Sequence, residues 1–282
     1  MDTDILLAGL KQHYLGWGTV FALLTAFELF NPRERHSLRL RLLGVGFWAV
    51  LLALSFASAL LLMFMWQALG VRPLFTIPSV QALAGGPVAA AILGAVMAAV
   101  IHDFFFYWCH RIQHRWLWRW HAVHHSIEEL NAVNSYHHPS EAIVQLLLIQ
   151  IPLSLLVSVA HPASAIVGFI LSCHVVWIHS PTRITLGPLG PLIVDNRFHR
   201  IHHSLESRHF DKNFGAFTTV WDRLFGTCHM PAHDEWPEVG VAGARQPRSF
   251  GNWVRQPWRD QAAPDVADAE RADPLSGAPA VA

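Results

Sequence analysis

Apolar and polar positions along this chain fall into long blocks. Tyr14 to Phe30 is almost wholly apolar, with Glu28 near its end and Asn31-Pro32 as a stop. Its 17 residues are the lower limit for crossing a ~30 Å hydrocarbon core. Residues 1–13, which carry Asp2, Asp4 and Lys11, read as a short lead. Leu42 to Val71 holds no Asp, Glu, Lys or Arg and is long enough for a tilted transmembrane helix. A turn-rich link at 72–86 follows, and from Pro87 the chain is again uncharged to His102, with the helix predicted to run on to about His114. Ala142 to Thr182 is a further uncharged run of 41 residues, or ~60 Å as helix. Two passes fit that length better than one, with the break at His161-Pro162. The run therefore predicts a hairpin that enters and leaves on one side, and a shallow, partly re-entrant hairpin fits the same pattern. Residues 183–236 mix polar and aromatic positions and are expected to form a cap. From Gln261 the chain turns to Ala, Asp, Pro and Gly without aromatic residues, a composition expected to stay disordered.

Composition strengthens this picture. Of 282 residues, 52% are hydrophobic and only 14% charged, against about 25% charged in a soluble domain, and the mean hydropathy is +0.31. The expected architecture is all-α, a multi-pass membrane helical bundle with a histidine-rich cytoplasmic cap. Net charge is zero with histidine neutral, so bulk electrostatics give no case for nucleic acid. Cys109, Cys173 and Cys228 are far apart and form no paired framework, which predicts free thiols. No basic segment leads into the first apolar run and no small-residue site follows it closely, so no cleavable signal peptide is expected. The link after Phe30 carries Arg33, Arg35, Arg39 and Arg41, whereas 72–86 carries Arg72 alone. Arg111, Arg115 and Arg119 and the basic stretch 197–223 lie near the histidines. The positive-inside rule then places the first link and every histidine group on the cytoplasmic face.

Histidine is the outlying residue type, with 19 in all. His110 and His114 are four apart. His121, His124 and His125 form H-x-x-H-H, and His199, His202 and His203 repeat it. Positions i, i+3 and i+4 share a helix face, so each group can aim its imidazoles at one point. These eight are expected to form one metal centre from three chain segments. Their number exceeds the demand of one ion and suits two, and imidazole suits iron, copper, nickel or zinc. Asp103 and Tyr107 share a helical stripe with His110 and His114, and Asp103 is expected to accept an imidazole N–H. His137 and His138 are adjacent in SYHHPSE. His174 and His179 are five apart, so a regular helix would not aim both alike, and His179 is the better candidate. His102 lies just inside an apolar run. His13, His36, His161, His209, His229 and His233 read as structural.

DFFFYWCHRIQH, HAVHH, FHRIHH and NFGAFTTVWDRLFGT, spread over residues 101–227, resemble the fatty acid hydroxylase / sterol desaturase superfamily of membrane di-iron oxygenases. The family's H-x3-H, H-x-x-H-H and final H-x-x-H-H fall on His110/His114, His121/His124/His125 and His199/His202/His203. The resemblance implies His138 and His179 as further ligands. Where relatives often carry His-x-Asn, this chain has His-Ser-Pro at 179–181. The resemblance also implies two iron ions, O2 as co-substrate, a lipid substrate and hydroxylation or desaturation of an unactivated C–H bond. No nicotinamide or flavin fingerprint and no fused haem domain occur, so an external electron donor of cytochrome b5 or ferredoxin type is expected. The chain then divides into N-terminal transmembrane helices (1–100), a di-iron domain with its membrane hairpin (101–236) and a polar tail expected to be disordered (237–282). Rival classes are a histidine-lined metal transporter, a metal-dependent membrane hydrolase and a structural zinc protein. The uncharged runs hold few polar residues for a transport path, and no H-E-x-x-H occurs.

Overall fold

A computed structural model describes residues 3–77, 87–159 and 163–259. Helix α1 (Thr3–Phe30) takes in most of the predicted lead. Helix α2 (Leu38–Leu69) starts where the Ser37 side chain accepts the Leu40 N–H. It stops at Gly70, whose φ of 63° is the left-handed conformation that glycine adopts freely at helix ends. Strand β1 (Phe75–Ile77) follows, then α3 (Pro87–Trp116) and the short α4 (Trp118–His125). The apolar helix α5 (Glu141–Leu156) leads into β2 (Val157–Val159), and α6 is Ala163–Trp177. The cap holds α7 (Asn196–His202), α8 (Val220–Leu224) and α9 (Phe250–Arg255). Among the described residues the only named strands are β1 and β2, which pair in parallel over three residues each, so the fold is helical with one small ribbon.

Two helical stretches, Leu38–Leu69 and Ile92–Trp116, are long and apolar enough to cross a membrane. Only 17% of the apolar window of α2 is buried inside the protein. A core helix of a soluble protein would be mostly buried, so the exposed Leu42, Leu61 and Phe64 call for an apolar surrounding. Helices α5 and α6 each extend for only about 23 Å at 1.5 Å per residue. Those lengths fall short of a ~30 Å core and fit the shallow form of the hairpin. The break predicted at His161-Pro162 lies outside the described residues. Within α5, Leu146–Gln150 widens to a π turn just ahead of Pro152, which lacks the N–H that would close back onto Leu148.

Buried polar contacts tie the long helices to the cap. Glu28 of α1 pairs with Arg41 of α2 at 2.5 Å and accepts the Ala132 N–H at 2.8 Å, while Arg41 also donates to Asn131. Gly44 lets α2 approach this same loop, because a Cβ there would sit 2.5 Å from Asn134 Oδ1. The stretch 237–259, expected to belong to a disordered tail, is folded. Val239 and Trp253 sit in one apolar core with Phe47, Val123, Ile127 and Tyr136, and Trp253 stacks on Phe47 at 4.6 Å between ring centroids. Its indole N–H donates to the His137 carbonyl. Residues 260–282 lie outside the described part of the chain.

Candidate metal centre

The histidines reach the centre from four places. The C-terminal end of α3 supplies His110 and His114, and α4 supplies His121, His124 and His125. His179 follows α6, and α7 with its C-terminal cap supplies His199, His202 and His203. Helix α7 is only seven residues long and is held by its start, where the Asp195 carboxylate accepts the N–H groups of Arg197 and Phe198.

Two adjoining groups of donors result. His110, His114, His121, His125 and His202 form one, and His124, His179, His199 and His203 form the other, with ligand atoms in each within 4.8 Å of one another. The groups abut, with the His125 and His203 rings stacked at 4.5 Å. The ring protons show what the arrangement is for. His124 Nδ1 donates to the Tyr136 carbonyl and His179 Nδ1 to the Val175 carbonyl. A carbonyl only accepts, so each neutral ring has spent its one N–H, and the two Nε2 atoms face each other at 3.3 Å with lone pairs only. His202 and His110 likewise spend their one N–H at Nδ1. Their Nδ1 atoms donate to the carbonyls of Lys212 and Phe214, and their Nε2 atoms lie 3.1 and 3.0 Å from those of His125 and His121. Facing lone pairs repel unless a cation lies between them. The donor set therefore fits two metal ions, and the outward hydrogen bonds fix tautomer and ring direction.

Burial keeps these rings neutral. It holds His121, His124, His125, His199, His202 and His203 well below the ordinary imidazole pKa, and the neighbouring imidazoles lower most of them further. Neutral imidazole is the ligating form. His121, His199 and His203 leave Nδ1 without a partner among the described residues.

The predicted residues divide clearly. All eight histidines of the three motifs, with His179, come together. His138 does not. It precedes Pro139 and is used in the turn into α5, where Nδ1 pairs with Ser140 and Nε2 with the Val254 carbonyl. Its neighbour His137 lies at the centre instead, stacked on His124 at 3.8 Å and 12°, and burial with nearby imidazoles pushes its pKa down to about 3. Asp103 was expected to meet an imidazole but accepts the N–H groups of Ala216, Phe217 and Thr218, each at 2.9 Å. Asp222 does the same for Phe214 and Gly215. Two carboxylates thus hold the segment whose Phe214 carbonyl orients His110. Tyr107 is also remote from the imidazoles' outer atoms, its hydroxyl pairing with Thr227 and Arg111.

Two residues that the histidine spacing did not reveal also act here. Asp211 Oδ1 lies 3.2 Å from His114 Nδ1. Asp211 and Asn213 both adopt positive φ, 55° and 60°, a costly backbone that aims Asp211 at His114 and the Lys212 carbonyl at His202. Asn213 anchors the turn by donating to the carbonyls of Phe198 and His229. Glu141, bonded by Gln113 and Gln145, has its carboxylate within 4.8 Å of His121 and His137. The only sequence sign of it was an acidic residue at the head of an uncharged run. A cavity of about 280 Å³ meets this assembly at His110, His124, His179 and His199 and is walled mainly by apolar side chains of α1, α2, α3, α5 and α6.

The fatty acid hydroxylase family model matches residues 95–227. That span begins on α3 and ends at Thr227, and it holds both histidine groups. The matched residues, just under half of the chain, are similar to the fatty acid hydroxylase family. The chain is 32% identical over 151 residues to the ornithine lipid hydroxylase OlsE of Rhizobium tropici, covering 52% of this chain and 45% of that protein. It is 31% identical over 127 residues to human alkylglycerol monooxygenase, covering 44% and 28%. A very-long-chain aldehyde decarbonylase of Oryza sativa is 29% identical over 169 residues, covering 53% and 26%. The chain thus aligns with less than half the length of each of these relatives. No solved structure matches it.

Proposed function

We propose that this protein is a membrane-bound di-iron oxidoreductase that uses O2 to hydroxylate or desaturate an unactivated C–H bond of a lipid. The observation that carries the reading is two adjoining all-imidazole groups at an apolar cavity, with the proton-free Nε2 atoms of His124 and His179 facing each other. When bound, two iron ions would supply O2 activation and hydrogen abstraction. His110, His114, His121, His125 and His202 would hold one ion and His124, His179, His199 and His203 the other. The family match and the ornithine lipid and alkylglycerol enzymes among the relatives support a lipid substrate.

The protein's own contribution is orientation and exclusion of water. Backbone carbonyls of Tyr136, Val175, Lys212 and Phe214 hold protons at the outer ring atoms, so every inner Nε2 among these rings stays available. The apolar walls align a hydrocarbon chain and keep bulk water from it. Electrons come from an external donor of cytochrome b5 or ferredoxin type, and the centre faces the cytoplasm.

The test is metal analysis with turnover. Gently purified protein is expected to hold close to two metal ions per chain. Ferrous reconstitution should restore O2 uptake and transfer of 18O to a hydroxylated lipid, and zinc should not, although zinc occupies imidazole sites readily. Activity with zinc alone, or without O2, overturns the reading.

A further inference from the structure

The cavity has a polar group that the centre does not use. His102 lies on α3 eight residues before His110, about 12 Å along the helix axis, well inside the apolar span Ile92–Trp116. It lines the same cavity as His110. His110, His124, His179 and His202 each spend a ring proton on a backbone carbonyl, but no hydrogen bond to the His102 ring occurs among the described residues. The lining of this cavity also includes Phe106, Leu171 and Phe217, with Ser172 and His174 of α6 among its polar residues. An imidazole is costly at such a depth unless something pairs with it, and unpaired ionisable groups in membrane spans mark functional sites.

We infer that His102 is a substrate-recognition residue, which hydrogen-bonds an oxygen carried by the lipid (a hydroxyl, ether or carbonyl) at the far end of the cavity from the histidine groups. This rests on the lipid-oxidation reading and deepens it. The preferred ligand is an oxygen-bearing lipid rather than a plain hydrocarbon, and the His102 contact sets which stretch of chain lies beside His110 and His179. A neutral imidazole offers one donor and one acceptor, so it serves either an alcohol or an ether.

The test is binding, which needs no turnover. Full-length, metal-loaded protein in detergent is titrated with tritiated 1-hexadecanol in a scintillation proximity assay, and hexadecane is the competitor. Comparing variant with wild type cancels partition into micelles. His102→Phe, which keeps a ring of similar size, should weaken hexadecanol binding about tenfold and leave hexadecane competition unchanged or stronger. His102→Asn, which can still pair with an oxygen, should retain most of the preference and serves as the deciding variant if His102→Phe fails to hold metal. Equal hexadecanol affinity in wild type and His102→Phe, equal weakening of both ligands, or loss of the preference in His102→Asn overturns the assignment. Because the assay reads no oxidation, a protein that binds hexadecanol through His102 but consumes no O2 would refute the oxygenase reading alone.

Discussion

At the scale of residues, sequence spacing revealed the clustered histidines better than it revealed their supports. A helix face is a local property, so i, i+3 and i+4 named eight histidines that the fold does bring together. What holds each ring is not local. The carbonyls of Tyr136, Lys212 and Phe214 come from loops, and a backbone carbonyl leaves no mark on the sequence. Asp103 shows the same limit. Its stripe with His110 and His114 was real, but its oxygens point to backbone N–H groups across the cap. Substitution should separate the two roles. His124→Ala or His202→Ala should lower bound iron and abolish turnover, while the protein still inserts and extracts normally, since the helices bury apolar surface without the metal. Full iron content and full turnover in both variants would remove the histidine groups from the mechanism. Asp103→Ala should instead lower the melting temperature by leaving three buried N–H groups unpaired, at about 1–3 kcal/mol for each such group. Asp211→Asn keeps an oxygen near His114 but loses its charge, and about a 10–100-fold loss of metal affinity or activity is expected, measured by iron titration.

At the scale of elements, the uncharged runs announced α2, α3, α5 and α6 because burial in an apolar surrounding forbids charge along a whole helix. The short cap helices gave no such signal. Helix α9 in particular lies in a polar stretch, and Trp253 anchors it only because Phe47 and Tyr136, far away in the chain, offer their rings. Trp253→Ala should cost about 3–5 kcal/mol, read as lower thermal stability. Glu34 joins the link between α1 and α2 to the α7 that carries His199 and His202, since Arg200 grips it with both terminal nitrogens. Burial works to raise the Glu34 pKa, but His36, Arg200 and Trp236 together outweigh it and bring it down to about 2. A carboxylate with a depressed folded-state pKa stabilises the fold above its ordinary value, and that contribution fades as pH falls from about 4.5 towards 2. Glu34→Gln should therefore lower the melting temperature at pH 7, with the gap to wild type closing below about pH 4. A gap that persists unchanged at pH 3 would show that the pair does not act through its charge.

At the scale of the whole molecule, the fold constrains orientation more tightly than charge counting does. The start of α2 and the end of α3 meet the same assembly. Ser37 donates to Glu129 and Arg41 to Asn131, both in the loop that follows the α4 histidines. If α2 and α3 both cross the membrane, the link 31–37 and all three histidine motifs must share a side, and 72–86 must lie on the other. This holds whether α1 crosses or lies along the surface. The arginines agree with that division, since Arg33, Arg35, Arg39, Arg41, Arg111, Arg115 and Arg119 sit at one end and Arg72 at the other. By the positive-inside rule, the proposed crossing pair would put the arginine-rich end in the cytoplasm. A reporter fused after Arg41 and one fused at the C-terminus should both read cytoplasm, and a fusion at Gly85 should read the opposite side. Should Gly85 and the C-terminus read alike, α2 and α3 do not form a crossing pair, and the cavity between them would open to a different phase from the one a lipid chain requires.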